Sequence, residues 1–214
     1  MMTFATDNQP RKAVWGARIG RALAPVAAAV LLSGCGDYAT NGSGSSYLVL
    51  TSLQGGRGQA GTLGSVLESD VLNVDATTGN QSIIADRGQA SFTLQMKDVG
   101  GAAPSPVNAI TVTQYHVEYI RSDGRNVQGV DVPFAFDGGV TTTITNTGTV
   151  SFTLVRNQAK LEAPLKALSL NGLVITTIAK VTFYGHDQTG REVSVTGNIE
   201  VSFANFADPS ASGG

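Results

Sequence analysis

The chain has 214 residues, of which 42% are hydrophobic and 14% charged, with a formal net charge of −2. It carries a single cysteine. These figures exclude a disulfide scaffold, a highly charged disordered chain and a strongly basic nucleic-acid binder.

Residues 1–21 hold Arg11, Lys12, Arg18 and Arg21 against one acid, Asp7, and lead into the uncharged run "ALAPVAAAVLL" at 22–32. A basic segment followed by a short apolar one is a secretory signal. Eleven residues fall short of the roughly 17–25 that a membrane-spanning helix needs. The run closes on Leu32-Ser33-Gly34-Cys35. This resembles the lipobox of bacterial lipoproteins, in which Leu, a small residue and Gly or Ala precede Cys. The resemblance implies a signal peptide over 1–34, diacylglycerol on the Cys35 thiol, and a further acyl chain, such as palmitate, on the new amino terminus. One acyl chain binds a membrane marginally, whereas two or more hold stably.

The chain from Cys35 onward has ten Lys and Arg against fifteen Asp and Glu. That balance predicts neither nucleic-acid binding nor a polybasic membrane surface. Gly36, where an Asp would imply inner-membrane retention in this lipoprotein class, favours the outer membrane. "GDYATNGSGSS" completes a flexible tether over 35–46. At about 5–6 Å × √n it spans roughly 17–20 Å.

From residue 47 to 208 the chain reads as one β-rich body. Segment 47–53 is a strand. It runs into "GRGQAG" (56–61), which fits the dinucleotide spacing but lacks the helix that would meet a pyrophosphate. It reads as a surface loop. Strands follow over 66–75 and 81–85, and "ASFTLQMK" (90–97) puts Ala90, Phe92, Leu94 and Met96 on one face. Alternation of this kind marks a strand with one buried face. In "AITVTQYHVEYIRSDG" (109–124) the apolar parity flips between Val112 and Tyr115, which predicts a β-bulge near Thr113. Further strands are expected at 140–146, 150–155, 173–185 and 191–203. Gly197 lies on the buried parity of the last one and marks a bulge or a close contact. "GHDQTGRE" supplies the turn between the last two strands. Only "NQAKLEAPLKAL" (157–168) looks helical, with Leu161, Leu165 and Leu168 at i, i+4, i+7 facing the core and Pro164 limiting it to a turn or two. Residues 209–214 read as a disordered tail. About eight or nine strands and one short helical turn predict an all-β antiparallel sandwich.

The "YHVEY" strand and "RSDG" turn resemble the central strand of immunoglobulin-like and fibronectin-type domains. The "VTFYGHDQTGREVSVTGNIEVSF" segment resembles the final hairpin of bacterial immunoglobulin-like modules. "RSDGRNVQGVDVPFAFDGG", "LVRNQAKLEAPLKAL" and "TFYGHDQTGREV" with the later "FANFAD" together resemble uncharacterised bacterial lipoproteins, over most of residues 66–208. These resemblances imply an immunoglobulin-like sandwich in the cell envelope, with no activity attached.

No G-x-S-x-G run and no thiolate or histidine cluster is present, so the chain reads as non-enzymatic. His116 and His186 read as solvated imidazoles. Phe134 and Phe136, after Pro133 and before a Gly pair, are candidates for a contact surface together with Arg125. The expected surface combines "RSDGRNVQGVDVPFAFDGG" with "GHDQTGRE", for an unknown envelope protein or glycan. No cofactor is expected beyond the lipid. The alternative is a calcium- or small-ligand-binding sensor or carrier, with Asp123, Asp131, Asp137 and Asp187 as loop acids of the type calcium takes.

Overall fold

The computed structural model describes residues 44–206 except 60, 76, 99, 101 and 102. The signal peptide, Cys35, most of the tether and the expected tail lie outside the described residues.

The described body is an all-β sandwich. The strands are β1 (Ser46–Gly56), β2 (Val66–Asp70), β3 (Asn73–Val74), β4 (Gln81–Ser82), β5 (Asp86–Met96), β6 (Ile110–Ile120), β7 (Phe136–Ile144), β8 (Thr147–Val155), β9 (Ile175–Asp187) and β10 (Glu192–Ala204). A three-stranded sheet, in the order β1-β5-β8, covers a five-stranded sheet in the order β2-β10-β9-β6-β7. β3 and β4 form a separate small ribbon. The long pairs are antiparallel, but β2 lies parallel to the end of β10, with Val66 opposite Glu200 and Asp70 opposite Ala204. The tether prediction ran one residue too far. Ser46 already belongs to β1 and its hydroxyl donates to the Asn108 carbonyl at 2.9 Å.

The predicted bulge is present. Thr113 is skipped between Val112 and Gln114 in the register of β6 with both β7 and β9. The extra residue lets Ile110, Val112, Tyr115, Val117 and Tyr119 all face inward, and all five are buried. Gly197 marks a close contact. A Cβ there would stand 2.2 Å from Leu50 Cδ2, so β1 packs directly onto the backbone of β10.

Phe92, Tyr115, Phe136, Phe152 and Phe183 form the centre of the core. Phe183 meets Phe92 edge-on at 5.1 Å and Phe152 at 5.3 Å between ring centroids. Two tyrosines of β6 also reach across to β8. The Tyr119 hydroxyl donates to the Leu154 carbonyl at 2.7 Å, and the Tyr115 hydroxyl accepts from the Thr153 N–H at 3.3 Å. These bonds tie the two sheets together in a body without disulfides. Burial, and after it the negative charge of Asp86, push the Tyr119 phenol well above its ordinary range.

The helical segment is two short pieces, α1 (Asn157–Leu161) and α2 (Leu165–Leu168), with Pro164 between them. Leu165 and Leu168 are buried as expected, but Leu161 is exposed and Lys160 is buried instead. The i, i+4, i+7 count assumed a continuous helix. The break at 162–164 resets the phase and turns Leu161 outward.

Strand register defines two ends of the body. Ser46, the β9–β10 turn, Ile110 and the β7–β8 turn share one end, because Ile110 pairs with both Asp187 and Ile144. Ile120, Ile175, Val155 and the helical turns share the other. Thirteen residues of β9, at about 3.3 Å each, separate them by roughly 40 Å.

Candidate functional site

The end away from Ser46 carries an ordered loop over 121–135. Much of its backbone is paired internally. Val127 O accepts from the N–H groups of Val130 and Asp131 at 3.1 and 2.8 Å, and Gly129 N–H donates to Val132 O at 2.8 Å. Gln128 Oε1 accepts from Ala135 N–H, and Asn126 Oδ1 from Arg121 N–H. Asp123 takes two bonds from the Arg121 guanidinium and two from that of Arg125, the shortest being 2.6 Å. These bonds, from Arg121 first and then Arg125, hold the Asp123 carboxyl well below the usual carboxylate range.

A loop that consumes its own polar groups turns its apolar ones outward. Val127 is 61% exposed, Val130 67% and Phe134 46%. Leu170, Leu173 and Val174, which lead from α2 into β9, are exposed at the same end. So are Ile120 and Ile178, cross-strand partners on the outer face of the five-stranded sheet. Exposed apolar residues at one end of a body are candidates for an interaction surface. Val127 and Val130 lie in the loop expected as a surface; the segment 170–174 was outside that expectation, because its place at the same end depends on the register of β6 with β9.

Two expectations for this surface need correction. Phe136 opens β7 with its side chain inward. It is buried, lies 6.2 Å from the Tyr115 ring and carries the Arg156 guanidinium 4.5 Å above its face. It belongs to the core and not to a contact face. Residues 121–135 and the turn 187–191 stand at opposite ends of β9, because Ile120 pairs with Ile178 and Ile110 with Asp187. Of the two expected segments, Asp137 of the first does line a groove with Gly185, His186 and Glu192 of the second. Phe134 and Arg125 remain on the exposed loop.

The four loop acids have partners in separate places. Asp123 is taken by arginines. Asp131 Oδ2 accepts from Val127 N–H at 3.2 Å, and Asp137 Oδ1 from His116 Nδ1 at 2.8 Å. Asp187 Oδ1 caps the β9–β10 turn, accepting from Thr189 N–H, Thr189 Oγ1 and Arg191 N–H, with Gly190 at φ +82. The Thr189 hydroxyl leads the causes that lower the Asp187 pKa. Among the described residues no group of three or more His, Cys, Asp or Glu is placed to hold a metal ion.

The sequence reading missed a buried ion pair. Lys160 Nζ lies 2.8 Å from Asp86 Oδ2 and donates to the Ile84 carbonyl at 2.6 Å. Asp86 also accepts from Ser69 Oγ and from Gly58 N–H, each at 2.6 Å. Both charged side chains are essentially inaccessible. "GRGQAG" therefore works as a loop whose Gly58 N–H caps Asp86. A signal for this pair exists in the sequence: the inward parity Ala90, Phe92, Leu94 extends back through Gly88 to Asp86. A buried carboxylate needs a cation.

On the outer face of the five-stranded sheet, toward the Ser46 end, lies an open groove of about 790 Å³. Gln114, Asp137, Tyr184, His186, Glu192 and Ser194 contribute its polar lining. At its floor Gly185 faces the bulge, where a Cβ would stand 2.2 Å from the Thr111 carbonyl oxygen.

Comparison with protein-family models finds no matching family. Comparison with curated proteins finds no match either. Among the described residues no helix is long and apolar enough to cross a membrane.

Proposed function

We propose that this chain is a lipid-anchored, non-enzymatic binding module of a bacterial cell envelope, acylated on Cys35 and held preferentially at the outer membrane. The observation that carries the binding role is the set of exposed apolar side chains on the ordered end formed by 121–135 and 170–174. Much of the loop's backbone is already paired, so a partner meets chiefly side chains. The two arginines of the loop, Arg121 and Arg125, are balanced by Asp123 and Asp131. An aliphatic surface with a neutralised rim suits the apolar patch of another envelope protein better than a glycan.

The leader and "LSGC" support the anchor. The described chain enters the body at Ser46, at the end opposite the apolar one. Intact mass and membrane fractionation of the native protein beside a Cys35→Ser variant test this reading. Acyl mass on a chain beginning at Cys35, lost together with membrane association in the variant, is the expected result. An unmodified, freely released protein contradicts the anchor.

A further inference from the structure

The outer face of the five-stranded sheet carries three cross-strand rows at the Ser46 end. The middle row is Gly139, Gln114, Tyr184 and Ser194, each opposite the next on β7, β6, β9 and β10. On one side runs Asp137, His116, Thr182, Thr196, and on the other Thr143, Thr111, His186, Glu192. The flanking rows are largely tied sideways: His116 to Asp137 at 2.8 Å, Thr182 to Thr196 at 3.0 Å and Thr111 to Thr143 at 3.0 Å. The middle row differs. The side chains of Gln114, Tyr184 and Ser194 have no hydrogen-bond partner among the described residues. Gly139 leaves the row open at the β7 edge, since a Cβ there would meet nothing within 4 Å.

The result is a channel across four strands, about 14 Å from first to last at 4.7–4.9 Å spacing. It has an exposed tyrosine ring at mid-length and unspent amide, hydroxyl and carboxylate groups around it. The described lining residues include no Lys or Arg. That rules against an anionic ligand. The channel is too open to cage a small cation and too polar for a lipid chain. A sugar ring presents C–H groups to an aromatic face and hydroxyls, each donor and acceptor, to amides and carboxylates beside it.

We infer that this channel binds a short, uncharged oligosaccharide laid across the strands. Tyr184 stacks on one ring, and Gln114, Ser194 and Glu192 take hydroxyls on either side of it. The site lies at the opposite end of the body from the proposed protein contact, so its failure leaves that reading untouched.

The test uses the full chain in detergent with cello-, malto-, xylo- and chito-oligosaccharides, read by saturation-transfer NMR and calorimetry, with a tri-lysine peptide as the cationic comparison. The expected result is binding of at least one oligosaccharide, weakened about tenfold or more by Tyr184→Ala, largely kept in Tyr184→Phe, and weakened by Gln114→Ala. All three variants should melt with the parent, because these side chains are on the surface. Absence of binding across the panel at millimolar concentration overturns the inference. So does binding that Tyr184→Ala leaves unchanged, or a salt-sensitive preference for tri-lysine.

Discussion

Replacing Lys160 with methionine removes the cation that faces Asp86 while keeping most of the side-chain volume. Asp86 then retains two donors, Gly58 N–H and Ser69 Oγ, but its charge is buried without an opposite one. The Ile84 carbonyl also loses its donor. Breaking one side of a buried pair costs about 3–5 kcal/mol. The two remaining bonds to Asp86 hold the figure near the lower end, at about 3–4 kcal/mol. For a domain of this size each kcal/mol moves the melting temperature about 2–4 °C, which predicts a fall of roughly 6–16 °C. Adding Asp86→Asn removes the stranded charge while its carbonyl still accepts from Gly58. The double variant is expected to be more stable than Lys160→Met alone, by about 1–2 kcal/mol. Urea denaturation of the wild type, both single variants and the double gives the coupling directly. A Lys160→Met loss below about 1 kcal/mol, or a double variant less stable than Lys160→Met, would refute a buried charge pair.

Tyr119→Phe leaves the buried Leu154 carbonyl without its donor, so it is expected to cost about 1–2 kcal/mol in the same assay. Gly185→Ala forces a Cβ into the Thr111 carbonyl beside the bulge. A loss of about 1–3 kcal/mol, with amide shift changes confined to β6 and β9, is expected. Asp123 and Asp187 both have lowered pKa values in the folded chain. The unfolded chain therefore binds more protons between the folded and ordinary values. Their contribution is complete above the ordinary carboxylate pKa of about 3.9 and is lost as pH falls through the folded values. Carboxyl-detected NMR titration should show both midpoints below that value, and Asp123→Asn should flatten the acid side of the stability curve.

Much of the body was legible because strands write their facing into alternation. The parity flip in "AITVTQYHVEYI" located the bulge near Thr113, and Gly197 on the inward parity marked a bulge or a close contact, which the structure resolves as the contact with Leu50. What was not legible depends on neighbours that sequence does not name. The parallel placement of β2 beside β10 depends on where loop 57–65 crosses from one sheet to the other. Lys160 lies off the leucine stripe of 157–168, and its burial depends on Asp86 of β5 coming beside it. Phe136 looked like a loop aromatic, although alternation through Phe136, Gly138 and Val140 already put it on one face of β7. Residues 121–135 and the β9–β10 turn, joined into one expected surface, lie at opposite ends of β9, while Asp137 of the first segment lines the groove beside the second. The apolar end and the polar channel both arise from register across three or four strands. The proposed anchor on Cys35 rests on local sequence alone.

The most direct test of the central reading is site-specific photocrosslinking in intact cells. A crosslinking side chain placed at Val130 or Phe134 samples the apolar end, and one at Asn146 samples the Ser46 end. The account predicts a discrete protein adduct of the same mass from Val130 and Phe134, absent from Asn146, and abolished by Val127→Asp without a change in melting temperature. Adducts from Asn146 alone, or an equal pattern from all three positions, would contradict a partner docked on the apolar end.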